Sequence, residues 1–263
     1  MAGKEKIAHR IISMTPSLTE ILFALESGHR VAGVTDSCDY PPEVKNWPNI
    51  SCWFDPDLAK LYALKPDLVL GLQSAHHKLK PVLASEGIQF KLVNPVTVQD
   101  SIDDIARIGA MLGVDEISKR LVSGLRERLS IIDADVSEIP DRHKLSVCRI
   151  LDLEDGCFHV AGPMSFQYDI ISRAGGLNVT GSIREAYPRI TFTRLLKWDP
   201  QVIFNCGFNL HTCPGIADNP EWQSLQAVRS GRLFRFDCGL TCRTGPRIVD
   251  MVELLFKTLY GSK

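Results

Sequence analysis

The chain has 263 residues, 44% hydrophobic and 23% charged, with 30 Lys+Arg set against 31 Asp+Glu. That length holds one large domain or two modest ones with a sizeable core, and a formal net charge of −1 gives no electrostatic reason for nucleic-acid or anionic-membrane binding. No apolar run approaches the roughly 18 residues of a membrane span, and the apolar fraction is too high for a disordered chain.

The first hundred residues alternate short β-branched runs with amphipathic stretches. Arg10-Ile11-Ile12-Ser13-Met14 predicts a strand. Ser17-Leu18-Thr19-Glu20 has capping-box spacing before a helix faced by Leu18, Ile21, Leu22 and Leu25, with Gly28 at the expected C-cap. Next come a strand Val31–Val34, a Cys38-Asp39-Tyr40-Pro41-Pro42 loop, a helix Leu58–Leu64 stopped by Pro66, and a strand Leu68–Leu70. A helix Lys80–Ser85, a strand Phe90–Val93 and a helix Ser101–Leu112 follow. Connections this long between strands predict a mostly parallel sheet covered by helices.

From Asp115 to about Ala134, Ile117, Leu121, Leu125, Leu129 and Ile132 recur at helical spacing, and Pro140 ends the stretch. The alternation then restarts with a strand Leu145–Leu151, a helix Phe166–Arg173, a strand Val202–Phe204, a helix Trp222–Val228, a strand Leu233–Phe236 and a helix Pro246–Tyr260. Leu64-Lys65-Pro66-Asp67-Leu68-Val69 echoes Trp198-Asp199-Pro200-Gln201-Val202-Ile203, at corresponding places in the two halves. The expected organisation is an α/β lobe over 1–113, a linker helix over 114–138 and a second α/β lobe over 139–263. Each lobe is expected to be Rossmann-like, with a central parallel sheet.

The N-terminal MAGKEKIAHRII lacks the apolar h-region of a secretory signal. The chain is thus expected in the cytoplasm, with reduced thiols, where Met1 is the native start, and outside it where a leader has been removed. The sequence has no G-x-G-x-x-G after a strand, no P-loop, no G-x-S-x-G elbow and no H-E-x-x-H. With no positive case for catalysis, a binding protein is the expected class.

Ligands of open α/β sheets lie outside the carboxyl ends of the strands. The residues after the predicted strands are Cys38 and Tyr40; Cys52, Trp53 and Phe54; and Gln73, Ser74, His76 and His77. In the second half they are Cys206, Phe208 and Asn209, then Asp237, Cys238, Thr241, Cys242 and Arg243. Aromatic rings, thiols and a few hydrogen-bonding groups suit a large, partly apolar organic ligand in a cleft between the lobes.

Ile11-Ile12-Ser13-Met14-Thr15-Pro16-Ser17-Leu18-Thr19-Glu20, the Cys38–Pro42 loop, the stretch around Leu64-Lys65-Pro66-Asp67, and Gly245-Pro246-Arg247-Ile248-Val249-Asp250 occur in an order that resembles the cobalamin-binding substrate-binding proteins. These belong with the class III binding proteins of vitamin B12 and siderophore ABC importers, and the resemblance runs from about residue 10 to 258. It implies two lobes on a rigid helix, clamping a corrinoid or related metal chelate. By position, Tyr40, Trp53 and Tyr187 match aromatic residues of the corrinoid cleft, and Asp237–Arg243 matches another of its walls. Asn205-Cys206-Gly207-Phe208-Asn209 resembles a leaderless variant of the family. The glutamates with which such proteins dock on an importer permease correspond here to Ala59 and Thr193, which puts that partner in doubt.

The eight cysteines are spread over the chain, and five of them (Cys38, Cys52, Cys206, Cys238 and Cys242) fall at predicted carboxyl-end loops. Singly, each reads as a small buried hydrophobe. Together they make a thiol-lined metal or iron–sulfur site the alternative function on the same fold, although no C-x-x-C is present. His76, His77 and His211 are further candidates as axial ligands of a bound cobalt, with surface solvation as the plainer reading. Arg243 and Arg247 flank a helix start suited to an anionic or amide group. Trp47, Trp198 and Trp222 are expected to pack.

Overall fold

A computed structural model describes residues 8–207 and 220–261. The chain divides into two units: Met1–Pro95 with Gln99–Arg126 and Thr244–Pro246, and Val96–Val98 with Glu127–Arg243 and Arg247–Lys263. No helix among the described residues is long and apolar enough to cross a membrane.

In the first unit, β1 (Ile11–Ser13), β2 (Val31–Val34), β3 (Leu68–Leu72) and β4 (Gln89–Val93) form a parallel sheet in the order β2-β1-β3-β4. Its inner strands are apolar without alternation because both faces are covered: Ile11, Ile12, Leu68, Val69 and Leu70 are all fully buried. The crossovers carry α1 (Pro16–Ala24), α2 (Leu58–Ala63), α3 (Gln73–His76) and α4 (Lys80–Ser85). Then come α5 (Val98–Leu112) and α6 (Asp115–Ser137), whose first half belongs to this unit and second half to the other.

The second unit is built on β5 (Ser146–Glu154), β6 (Cys157–Val160), β7 (Leu177–Asn178), β8 (Arg189–Thr191), β9 (Val202–Cys206) and β10 (Leu233–Phe236). The strand order is β10-β9-β5-β6-β8, with β7 also on β5. Its helices are α7 (Phe166–Arg173), α8 (Phe192–Trp198), α9 (Gln226–Arg229), α10 (Cys238–Thr241) and α11 (Ile248–Tyr260). Arg128 of α6 reaches Glu253 of α11 through two 2.8 Å bonds and Asp250 at 2.5 Å.

The expected α/β class with parallel strands is met, and three local expectations are corrected. Ser17 does not cap α1: Pro16 occupies the first turn, Thr15 is the cap residue, and the Ser17 hydroxyl accepts from the Thr244 N–H at 3.1 Å. Two of the segments that carry the family resemblance are therefore packed on one another. Gly28 is not the C-cap either, because Glu26 takes the left-handed conformation two residues earlier. The helix expected over Trp222–Val228 is a 3₁₀ turn at Trp222–Ser224 followed by α9. An antiparallel wing, β5-β6-β8, was not expected at all.

Candidate functional site

The candidate aromatic residues of the first unit, Tyr40, Trp53 and Phe54, sit on the chain between β2 and α2. Tyr40 is 43% exposed and Phe54 66% exposed, both high for large apolar rings. Trp53 and Phe54 lie ring to ring, with centroids 3.6 Å apart at 36°. This pair is held from below by His76, which is fully buried. Its Nδ1 accepts from the Leu72 N–H at 2.9 Å, so the proton resides on Nε2, which donates to the Trp53 carbonyl at 2.6 Å. Burial lowers the His76 pKa, against the opposing pull of those two backbone bonds. Both ring nitrogens are engaged, which excludes His76 as an axial ligand. His77 is exposed and pairs its Nδ1 with the carbonyl of Gln73, whose own side chain is exposed at the start of α3.

His76→Ala should destabilise the protein by about 1–3 kcal/mol, since it strands a buried N–H and a carbonyl. A histidine with a folded pKa below its unfolded 6.5 contributes stability that is present above that value and lost as the pH falls below it. Urea midpoints measured across this range should therefore converge for wild type and His76→Ala on acidification; a constant gap would refute the bracket.

The second unit gathers the thiols. Cys206 ends β9 and stands opposite Phe236 at the end of β10 in parallel register. Gly207 follows at φ +85°, a conformation that a side chain would resist. Asp237 starts α10, so Cys238 and Cys242 lie four residues apart around a single turn. The three sulfurs lie within 4.8 Å of one another, with Cys206 buried and the other two exposed. Cys206 and Cys242 are 3.2 Å apart. The hydrogen bond from Cys242 pulls the Cys206 thiol down to about 6, with Thr241 and Arg149 helping and burial opposing, while Cys242 is pushed up as the partner that keeps its proton.

Arg149 is the residue that sequence reasoning missed. It sits in mid-strand on β5, is 1% exposed, and points Nη2 at the sulfurs of Cys242 (3.2 Å) and Cys206 (3.6 Å). Its Nε and Nη1 have no hydrogen-bond partner. The available signal was one cation inside the apolar run Val147-Cys148-Arg149-Ile150.

Of the other expected residues, Tyr187 is 44% exposed and donates to Gln167 Oε1 at 3.0 Å. The Thr241 hydroxyl is buried and donates to the Asp237 carbonyl at 3.0 Å. The side chains of Asp237, Arg243 and Arg247 crowd around Gly239, where an added Cβ would stand 2.7 Å from Asp237 Oδ1. Phe208, Asn209, His211 and Cys213 lie outside the described residues.

The five-thiol grouping divides. Cys38 is buried in the first unit against the hydroxyls of Thr19 and Thr35, at 3.2 and 3.3 Å, and Cys52 is half-buried on the loop before Trp53. Neither belongs to the three-sulfur group. Position after a strand selects the correct sheet edge without selecting which side chains turn outward. Cys148, fully buried with no polar partner to offset the loss of water, is pushed up to about 12. The seven described cysteines form no disulfide.

The model of the family described as periplasmic binding protein matches residues 11–238. The vitamin B12-binding protein of Salmonella typhimurium is 28% identical over 201 residues, 76% of this chain and 73% of its own length. YvrC of Bacillus subtilis, an uncharacterized ABC transporter substrate-binding lipoprotein, is 26% identical over 260 residues, 97% of this chain and 81% of its own. The periplasmic heme-binding protein RhuT of Roseiflexus sp. RS-1, in apo form, matches in fold with a TM-score of 0.84 at 23% identity, covering 96% of this chain and 98% of that one.

Proposed function

The chain belongs to the periplasmic binding protein family, and from that premise we propose that it binds cobalamin or a closely related corrinoid without making or breaking covalent bonds. The observation that carries this reading is the Trp53–Phe54 pair, a half-buried indole stacked on an exposed phenyl ring and fixed in place by a buried histidine. An apolar ring as exposed as Phe54, backed by the indole of Trp53, is suited to lie against the broad apolar face of a macrocycle. Tyr40 and Tyr187 offer further ring faces. Gln73, Asp237 and Arg243 are the proposed partners for peripheral amides and the phosphate; the Thr241 hydroxyl is already bonded to the Asp237 carbonyl, and Phe208 and Asn209 lie outside the described residues. A relative named as a vitamin B12-binding protein and a fold neighbour named as heme-binding both point to macrocyclic metal chelates. The corrinoid is favoured over heme because it brings its own lower axial base and asks the protein for faces and hydrogen bonds rather than for a ligand to the metal.

Delivery to an ABC importer follows from the kind of relative matched. Ala59 and Thr193 are exposed on the first turns of α2 and α8, so docking there would rest on contacts other than carboxylate–arginine pairs. Intracellular handling of the same ligand is compatible with the same site.

Titration with cyano-, aquo- and adenosylcobalamin, and separately with heme, tests the proposal. One corrinoid per chain is expected, with a shifted cobalt absorption band and an affinity that Trp53→Ala weakens about tenfold or more. Binding of heme with no response to any cobalamin would overturn the corrinoid assignment, and silence towards all four would overturn chelate binding.

A further inference from the structure

We propose that Cys206, Cys238 and Cys242 bind a single divalent, thiophilic metal ion of the zinc class, with Arg149 neutralising the resulting thiolate centre. The proposal is independent of which chelate the protein carries, since none of these four side chains is assigned a contact with it.

The fold brings the ligands together from two places. Parallel pairing of β9 and β10 sets the end of one strand beside the start of α10, and the single turn of α10 stacks two cysteines on the same side. A tetrahedral ion with metal–sulfur bonds of about 2.3 Å holds its sulfurs roughly 3.8 Å apart. The three sulfurs already lie within 4.8 Å of one another, with one pair at 3.2 Å, so small side-chain rotations complete the set. An iron–sulfur cluster places several iron atoms between its thiolates and would spread them more widely. The geometry therefore favours one ion. Cys238 and Cys242 are exposed, which leaves an entry path and a fourth position for water or an incoming ligand.

Charge supplies the second, independent observation. Arg149 is a buried cation, and among the described residues it forms no ion pair with a carboxylate. A guanidinium in such a place, with two nitrogens unpartnered, is costly unless an anion faces it. Three thiolates around a divalent ion carry one net negative charge, and Arg149 returns the buried assembly to neutrality. Binding releases the thiol protons to solvent, with no oxidation or reduction. Cys148, fully buried in an apolar cluster with Ile150, Phe158 and Ile203, shows what a packing cysteine looks like in this protein.

The test uses the full chain, purified anaerobically, stripped of metal and titrated with cobalt(II) and zinc(II). One ion per chain is expected, with the sulfur-to-cobalt charge-transfer bands of tetrahedral thiolate coordination. X-ray absorption should count three sulfurs at about 2.3 Å. Cys206→Ser and Cys238→Ser should each weaken binding about 100-fold or more, and Arg149→Met about 10- to 100-fold, with Cys157→Ser unchanged. Absence of uptake, equal uptake by Cys206→Ser, a sulfide-containing iron chromophore, or quantitative Cys206–Cys242 disulfide in the anaerobically isolated protein would each overturn the proposal. Circular dichroism checks that the variants fold; if one does not, a wild-type sulfur count below three decides against the site. Because corrinoid titration is read at a different chromophore, failure of the metal site leaves the corrinoid result standing, and the reverse.

Discussion

Trp222→Ala, which truncates the largest fully buried side chain among the described residues, is expected to cost about 3–5 kcal/mol of stability. Trp222 is 1% exposed and packs with Phe158 of β6 and Phe192 of α8 at ring-centroid distances of 6.3 and 6.1 Å. Around these three lie Cys148, Ile150, Ile190, Leu195 and Ile203, so the indole joins the parallel part of the sheet to its antiparallel wing. Truncation would leave a cavity that surrounding strands cannot close, because each is fixed by its ladder. The consequence reaches the site: Trp222 anchors the chain just before α9 and β10, and the end of β10 positions Asp237, Cys238 and Cys242. Urea denaturation followed by circular dichroism should show a lower midpoint with an unchanged slope. Trp222→Phe, which keeps part of the volume, should recover much of the loss. A deficit below about 1 kcal/mol would mean that the three rings are not packed as a core.

That cluster also shows why half of the second unit was opaque to sequence reasoning. Parallel strands such as Leu68-Val69-Leu70 and Val202-Ile203-Phe204 are legible because burial on both faces writes an unbroken apolar run. The wing strands Cys157–Val160 and Arg189–Thr191 are four and three residues long, too short for a period to register. One local sign was present: Glu154-Asp155-Gly156-Cys157 carries the Asp-Gly pair of a tight hairpin, and both turn residues have positive φ, 47° and 70°. Ser17 and Glu20 illustrate the opposite error. Their spacing satisfied a local capping rule, yet the Ser17 hydroxyl answers to Thr244, 227 residues away. A pattern rule sees only neighbours in sequence.

The site divides along the same line. Placement of thiols and aromatics after strands follows from chain topology and was readable. Arg149 was not, because its role depends on register: it lies opposite Phe204, two residues before Cys206, and only the paired sheet turns its guanidinium towards the sulfurs. The same dependence explains His76. Adjacent histidines in a polar loop suggest solvent, but α3 turns one inward beneath Trp53 and leaves the other outside.

Asp104→Asn is expected to stabilise the protein at neutral pH by about 1–3 kcal/mol and to flatten its pH dependence. Asp104 on α5 has a side chain only 3% exposed, beside a cavity of about 480 Å³ lined also by Lys91, Leu92 and Met111. Burial raises its pKa from 3.8 to about 6, reinforced by Asp100 and Asp103, while the 2.8 Å bond from Arg107 works in the other direction. Arg107 is 71% exposed, so solvent screens most of what that pair contributes. The sign follows from proton counting. Between 3.8 and about 6 the folded chain retains a proton that the unfolded chain has released, so stability falls as pH rises through this window. Above it the carboxylate is charged in a dry place, and the full penalty persists at neutral pH. Asparagine keeps the volume and a hydrogen-bonding oxygen for Arg107 without the charge. Thermal or urea midpoints should therefore coincide for the two proteins near pH 4 and separate in favour of the variant by pH 7. A variant less stable than wild type at neutral pH would show instead that the Arg107–Asp104 pair outweighs desolvation.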